Sequence, residues 1–220
     1  MTMSPSMTLA LDANFGSVER WRDQFSAMGK AQGRGSGWVR LVFRPREGSL
    51  VNQSAADHGH AVADGVPILA MNLDEHANHM DCGAAAGAHV DAFMGNIDWA
   101  AVHGRYEQAV HEASEPFGTG PDDIADAVLL DVRRAGVFAT AQTMLPGARW
   151  VDPTAVAQWA AELPANRAIV VYCVYGHEVS RATAMRLRAG GLNARYLRGG
   201  IDDWQTAQRP VVDKCRDPAP

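Results

Sequence analysis

One cysteine stands where a chain reversal could make its sulfur reactive. The apolar run AIVVYC ends in Cys173, and CVYGHEVS over 173–180 leads straight into a helical pattern at Ser180–Ala189. A thiol so placed lies outside the carboxyl end of a strand, where ligands bind in open α/β sheets. Loop N–H groups and the positive end of the next helix can stabilise a thiolate and hold an anion. Gly176 lets the loop curl around the sulfur. The candidate active-site loop is therefore Val174, Tyr175, Gly176, His177, Glu178, Val179, Ser180 and Arg181, with Cys173 as nucleophile. The competing reading is a buried strand-end cysteine in an inactive domain, because free Cys is among the most buried residue types.

Cys82 and Cys215 lack such a setting: the first reads as a packing residue, the second as an exposed thiol in the polar tail KCRDPAP. Three widely spaced cysteines suit free thiols in a reducing compartment, and a cytoplasmic location is expected. His58 and His60 fall in a polar loop. His76 and His79 could share a helical face, but two imidazoles do not enclose a redox metal. Trp21, Trp38 and Trp99 read as core. A net charge of −5 excludes general attraction to nucleic acid or anionic lipid, and no apolar run approaches a membrane span, so neither partner is expected.

The elements that position these residues fall into two groups. Residues 1–10 are expected to be a flexible N-terminus. Ser17 can cap a helix with Val18, Trp21, Phe25 and Met28 on one stripe, ending at Gly29. WVRLVFR at 38–44 fits a strand half-exposed on one face, paired through PREG with a strand near Leu50–Gln53, and Pro67–Met71 fits a third. One helix is expected from Asp91 to about Ala113, burying Ile97, Val102, Tyr106 and Val110. The Pro-, Gly- and acid-rich segment 112–123 marks a boundary. Beyond it, Ala127–Val132, Arg167–Cys173 and Ala194–Leu197 alternate with helices at Pro153–Leu163, capped by Asp152, and Ser180–Ala189. Strand and helix in alternation are the signature of an α/β domain.

Four landmarks of this second half, LLDVR at 129–133, LPGA at 145–148, the cysteine loop and LRGGIDDW at 197–204, resemble those of rhodaneses, in the same order. The resemblance implies an α/β domain with a parallel sheet, in which the Cys173 thiolate takes a sulfane sulfur and passes it on as a persulfide. No cofactor is needed, and the partners are a small-molecule or protein sulfur donor and acceptor. Asp131 and Arg133 would order the sheet end. Glu178 departs from the basic or hydroxyl residue common in that family, repels a dianion such as thiosulfate, and favours a persulfide donor; His177 and Arg181 oppose it. The related dual-specificity phosphatases need an Arg where Val179 stands, which argues against phosphatase chemistry.

In the first half, FGS at 15–17, GSGW at 35–38, VNQ at 51–53, GVPIL at 65–69, EHA at 75–77 and NIDW at 96–99 resemble the C-terminal domain of iron/manganese superoxide dismutases. That implies an antiparallel sheet with helices, a homodimer, and iron or manganese held by three His and one Asp. Carried over residue by residue, the His falls on His76 and the Asp position on Asn72. Gln53 and Trp38 match the solvent-ligand pocket, and Glu75 a residue that pairs with the partner subunit's ligand. The helical hairpin bearing the other two His is expected to be absent, the sequence starting after it. An amide is a poor ligand for a redox metal, so the metal site is expected to be degenerate.

The expected organisation is a superoxide dismutase C-terminal-like domain at 11–112, a linker at 113–122, a rhodanese-like domain at 123–212 and a tail at 213–220. Three functions follow: a sulfurtransferase acting through Cys173, an active superoxide dismutase completed by other ligands, or a non-catalytic oxidant-sensing or binding module.

Overall fold

Ser4 starts the fold. Its Oγ accepts a hydrogen bond from the Met7 N–H at 3.1 Å, and Pro5 occupies the first turn of helix α1 (Pro5–Phe15). The computed structural model describes residues 2–32, 37–57, 59–73, 86–124 and 126–214. Within residues 1–10, expected to be flexible, Pro5–Ala10 are instead helical, with Met7 and Ala10 buried. The reason is local: a Ser-Pro cap sets the helix going, and its apolar residues then find a core.

The chain divides into two units, Met1–Ala109 and Val110–Pro220. In the first, α2 (Val18–Ala31) is capped by Ser17, and Trp21 and Phe25 are fully buried. It runs past Gly29, which packs beneath Met71 and Val90, so this glycine serves close packing and does not end the helix. Strands β1 (Trp38–Arg44), β2 (Ser49–Ala55) and β3 (Val66–Asn72) form an antiparallel sheet in the order β2-β1-β3. Pro67 lies in an edge strand, where a missing N–H is tolerated.

Two expectations fail here for tertiary reasons. Strand β1 is buried on both faces over Val39–Phe43, because the 59–65 segment covers the side expected to be open. Arg40 Nη1 donates to the His60 carbonyl at 2.8 Å, and Gly65 lies against Val42. The single helix expected from Asp91 is two, α3 (Ala86–Gly95) and α4 (Trp99–Ser114). Asp98 Oδ1 accepts from the N–H groups of Ala100 and Ala101, which restarts the second.

The second unit is built on a parallel five-stranded sheet ordered β4-β9-β8-β5-β7. Its strands are β4 (Gly118–Thr119), β5 (Val128–Asp131), β7 (Arg149–Trp150), β8 (Ile169–Tyr172) and β9 (Ala194–Leu197). A separate antiparallel pair joins β6 (Thr143–Met144) to β10 (Val212–Asp213). The helices are α5 (Ala135–Thr140), α6 (Val156–Trp159), α7 (Glu178–Ala189) and α8 (Gly200–Thr206). The helix expected over Pro153–Leu163 is α6 flanked by 3₁₀ turns. The segment expected as a linker over 113–122 contains β4, which pairs with β9, and belongs to this sheet.

Strand β8 shows why its sequence is continuously apolar. Ile169 and Val171 point into a cluster with Leu130, Ala184, Leu187 and Tyr196, whereas Val170 and Tyr172 point into another with Leu145, Leu197 and Ile201. A strand buried on both faces cannot alternate. Each such aliphatic side chain contributes about 1.5–3 kcal/mol by leaving water. Cys173 continues the first row, two residues beyond Val171, and so lies on the α7 side.

Candidate active site

Strand β8 delivers Cys173 to the carboxyl edge of the parallel sheet, and residues 174–177 carry the chain into α7. Two later backbone groups clamp this loop. The Ile201 N–H donates to the Cys173 carbonyl at 3.1 Å, and the Asp202 N–H to the Val174 carbonyl at 2.9 Å. That approach requires glycine at two points. A Cβ on Gly200 (φ 60°) would lie 2.4 Å from the Val174 oxygen, and one on Gly176 (φ 69°) 2.7 Å from the Leu197 oxygen. The LRGG landmark thus has a steric cause: its second glycine lets α8 begin against the cysteine loop.

Cys173 is 6% exposed, and its Sγ lies 3.2 Å from the hydroxyl of fully buried Ser180. Glu178 is buried as well, whereas His177 and Tyr175 face outward, Tyr175 being 55% exposed. The His177 ring lies between those of Tyr175 and His111, at 5.6 and 5.7 Å.

Arg181 is committed to holding the loop. Its Nε donates to the Gly176 carbonyl at 2.8 Å, and its guanidinium stacks over Tyr196 at 4.3 Å. Nη1 reaches Ser114 Oγ and Glu115 Oε2. Glu115 also receives Arg198 and the Tyr196 hydroxyl. The hydrogen bond from Arg181, followed by the charges of Arg181 and Arg198, holds the Glu115 carboxyl below its ordinary range. Burial pushes the Tyr196 phenol upward. The cation expected to offset Glu178 is therefore already matched by Glu115.

Beside the loop, Asp131 ends β5 opposite Tyr172. Asp131 and Arg133 form a buried, bidentate ion pair, and Arg133 also donates to the Thr143 carbonyl at 2.9 Å. Tyr172 Oη donates to Asp131 at 3.1 Å and accepts from the Leu145 N–H at 3.2 Å. Burial, reinforced by the Asp131 charge, raises the Tyr172 phenol far above its ordinary range. Sequence reasoning named Asp131 and Arg133 but missed Tyr172, Ser114, Glu115 and Tyr196. Tyr172 adjoins Cys173 in sequence; Ser114 and Glu115 were hidden at a supposed boundary.

In the first unit, Trp38 pairs with Asn72 across β1 and β3, and Gln53 faces Arg40 across β1 and β2. Gln53 is bonded to the 59–65 segment through the His60 carbonyl and the Val62 N–H, both at 3.4 Å. The Asn72 backbone oxygen meets His89 Nε2 at 3.0 Å. Glu75 and His76, like His58, His79, Cys82 and Cys215, lie outside the described residues.

Comparison with known proteins divides the chain in the same way. Residues 3–105 match the C-terminal domain of iron/manganese superoxide dismutases, and residues 110–207 match the rhodanese-like domain. The chain is a fusion of these two domain families. Its superoxide dismutase-like unit is 51% identical over 111 residues to an iron superoxide dismutase of Cupriavidus metallidurans, covering 50% of this chain and 56% of that protein. It is 38% identical over 109 residues to manganese superoxide dismutase 2 of Halobacterium salinarum, covering 48% and 53%. An iron enzyme of Campylobacter coli is 30% identical over 112 residues, half of each chain. The chain thus spans about half the length of the curated relatives it matches.

The metal named for those relatives can be tested against the donors described in this unit. Of the ligand positions carried over from the family, the described residues contain Asn72, an amide where a carboxylate is required. A neutral oxygen binds a redox ion poorly and leaves its charge unbalanced. Gln53 is turned into backbone contacts with the 59–65 segment. Among the described residues, the amide of Asn72 does not fit iron or manganese as a carboxylate would. In the rhodanese-like unit, by contrast, the candidate thiol, its loop and the supporting carboxylate lie at one sheet edge.

Proposed function

We propose that the chain is a sulfurtransferase carrying sulfur as a persulfide on Cys173. The observation that carries this reading is the placement of a cysteine at the carboxyl end of a central parallel strand, in a loop clamped by the start of α8. The Cys173 thiolate attacks the outer sulfur of a donor persulfide. An S–S bond forms to Cys173 while the donor's S–S bond breaks, and the donor leaves as its thiolate. A nucleophilic acceptor then attacks the outer sulfur and returns Cys173 as thiolate. Asp131 and Arg133 support the sheet end that carries the loop. Because Arg181 is paired with Glu115 and Glu178 lies at the loop, a low-molecular-weight or protein persulfide is preferred to dianionic thiosulfate as donor. A reducing compartment such as the cytoplasm suits a carrier that must return to a free thiol.

The test is sulfur loading of the full chain by a low-molecular-weight persulfide, followed by mass spectrometry. One sulfur on the Cys173 peptide of wild type and none on Cys173→Ser is expected. Equal loading of the two proteins overturns the assignment.

Similarity of the first unit to superoxide dismutases favours a second reading, in which that unit forms a homodimer and other ligands complete a metal site. Asn72 argues against metal-dependent turnover by this chain, and the unit is better read as a fold and dimerisation element. Stoichiometric iron or manganese in the purified protein, with superoxide turnover lost in His76→Ala, would reverse that preference.

A further inference from the structure

We propose that the Ser180 hydroxyl is a catalytic group of the cysteine loop, accepting a hydrogen bond from the Cys173 thiol and turning to donate one to the thiolate. The inference rests on the reading of Cys173 as the sulfur carrier. Ser180 is fully buried in the first turn of α7, so its hydroxyl must find its partners inside the protein. Two are in reach, Cys173 Sγ at 3.2 Å and the His177 carbonyl at 3.3 Å. A hydroxyl carries one proton and two acceptor lone pairs. With its O–H directed at the His177 carbonyl, it accepts from the S–H group. With its O–H directed at the sulfur, it donates to the thiolate and stabilises the anion.

What makes both orientations available is the backbone. The His177 carbonyl also accepts the Arg181 N–H at 3.2 Å, so it keeps a partner when the Ser180 proton turns away. Neither state strands a buried polar group. On ionisation the S–H bond breaks, the electron pair stays on sulfur, and the proton passes to a solvent base; Ser180 keeps its own proton. After sulfur transfer the charge moves to the outer sulfur, and the hydroxyl can return to His177.

Other charges surround the loop. His177, Glu178 and Arg181 lie on the loop and α7, and Asp131 and Arg133 end β5. Tyr172 and Tyr196 come from β8 and β9, and Glu115 and His111 from the start of this unit. A Ser180 substitution changes none of them, so any change in thiol titration reports on the hydroxyl.

The experiment follows iodoacetamide alkylation of the full chain against pH, read on the Cys173 peptide so that Cys82 and Cys215 do not contribute. In Ser180→Ala the pH midpoint is expected to rise by about one unit, with about tenfold less thiolate below both midpoints, the size of a hydrogen bond to a charged group. Ser180→Thr, which keeps the hydroxyl, should retain the wild-type midpoint. Persulfide loading of Ser180→Ala below the midpoint should fall in proportion. An unchanged midpoint in folded Ser180→Ala overturns the inference, even if wild type loads sulfur normally. A raised midpoint with no sulfur loading of wild type keeps the Ser180 contact and removes the sulfur-carrier reading. Should Ser180→Ala not fold, the wild-type infrared S–H band, assigned by its loss in Cys173→Ser, decides: a hydrogen-bonded frequency supports the inference and a free-thiol frequency overturns it.

Discussion

At the scale of single residues, the shape of the cysteine loop depends on close backbone approach. Gly176 has a left-handed φ of 69°, and a methyl there meets the Leu197 carbonyl, which cannot swing aside as a side chain could. Gly176→Ala should therefore lose about 1–2 kcal/mol from the unfavourable backbone region alone, with more from the steric conflict. Sulfur loading should fall by up to about a hundredfold, the cost of a misplacement of about 1 Å near reacting atoms. Chemical denaturation and single-turnover loading measure the two effects separately. Loss of stability with undiminished loading would show that the loop need not keep this shape. Gly176 and Cys173 were legible in the sequence, since a glycine in a short strand-to-helix loop has few other uses. The Ser180 contact was not: its seven-residue separation from Cys173 acquires meaning only once the loop doubles back.

At the scale of elements, the carboxyl ends of β5 and β8 are tied by the Asp131, Arg133 and Tyr172 network. Asp131 is fully buried and Arg133 5% exposed, so removing one charge strands the other. Asp131→Asn should cost about 3–5 kcal/mol, seen as a lower urea midpoint without a change in slope. A cost below about 1 kcal/mol would mean that solvent reaches Arg133. The phenol of Tyr172 adds a pH dependence. In the unfolded chain it ionises near pH 10.0, whereas in the fold it keeps its proton to higher pH. Above that pH the unfolded state binds fewer protons than the native state, so stability falls as pH rises; below it the contribution is fully present. Unfolding free energy should decline from about pH 10 upward, and less steeply in Tyr172→Phe. Tyr196, raised in the same direction, accounts for part of the remaining slope. An identical alkaline slope in Tyr172→Phe would remove Tyr172 as its source. Strands β5 and β8 were legible because parallel strands buried on both faces read as continuous apolar runs, whereas β9, with exposed Arg195 in its middle, was legible from its place in the strand–helix alternation. Strand β4 was not, because two residues between a 3₁₀ turn and a polar loop carry no periodicity.

At the scale of the whole molecule, two domain families share one chain, and no described helix is long and apolar enough to cross a membrane. If the first unit acts as the proposed dimerisation element, sedimentation of the full chain should give twice the monomer mass; a monomer across micromolar concentrations would reject that role. Metal analysis of the same sample should find iron and manganese well below one per chain.

By itself the sequence determined the division into two domain families, the place of Cys173 at a strand end, the glycines around it and the Asn at position 72. Those are matters of residue type and order along the chain, which survive without coordinates. Only the tertiary structure decided that Pro5–Ala10 are helical, that β1 is covered on both sides, and that Arg181 is matched by Glu115 rather than left for an anion. Each depends on a partner distant in sequence or on a cap whose effect requires a core to pack against, and local periodicity carries no record of such partners.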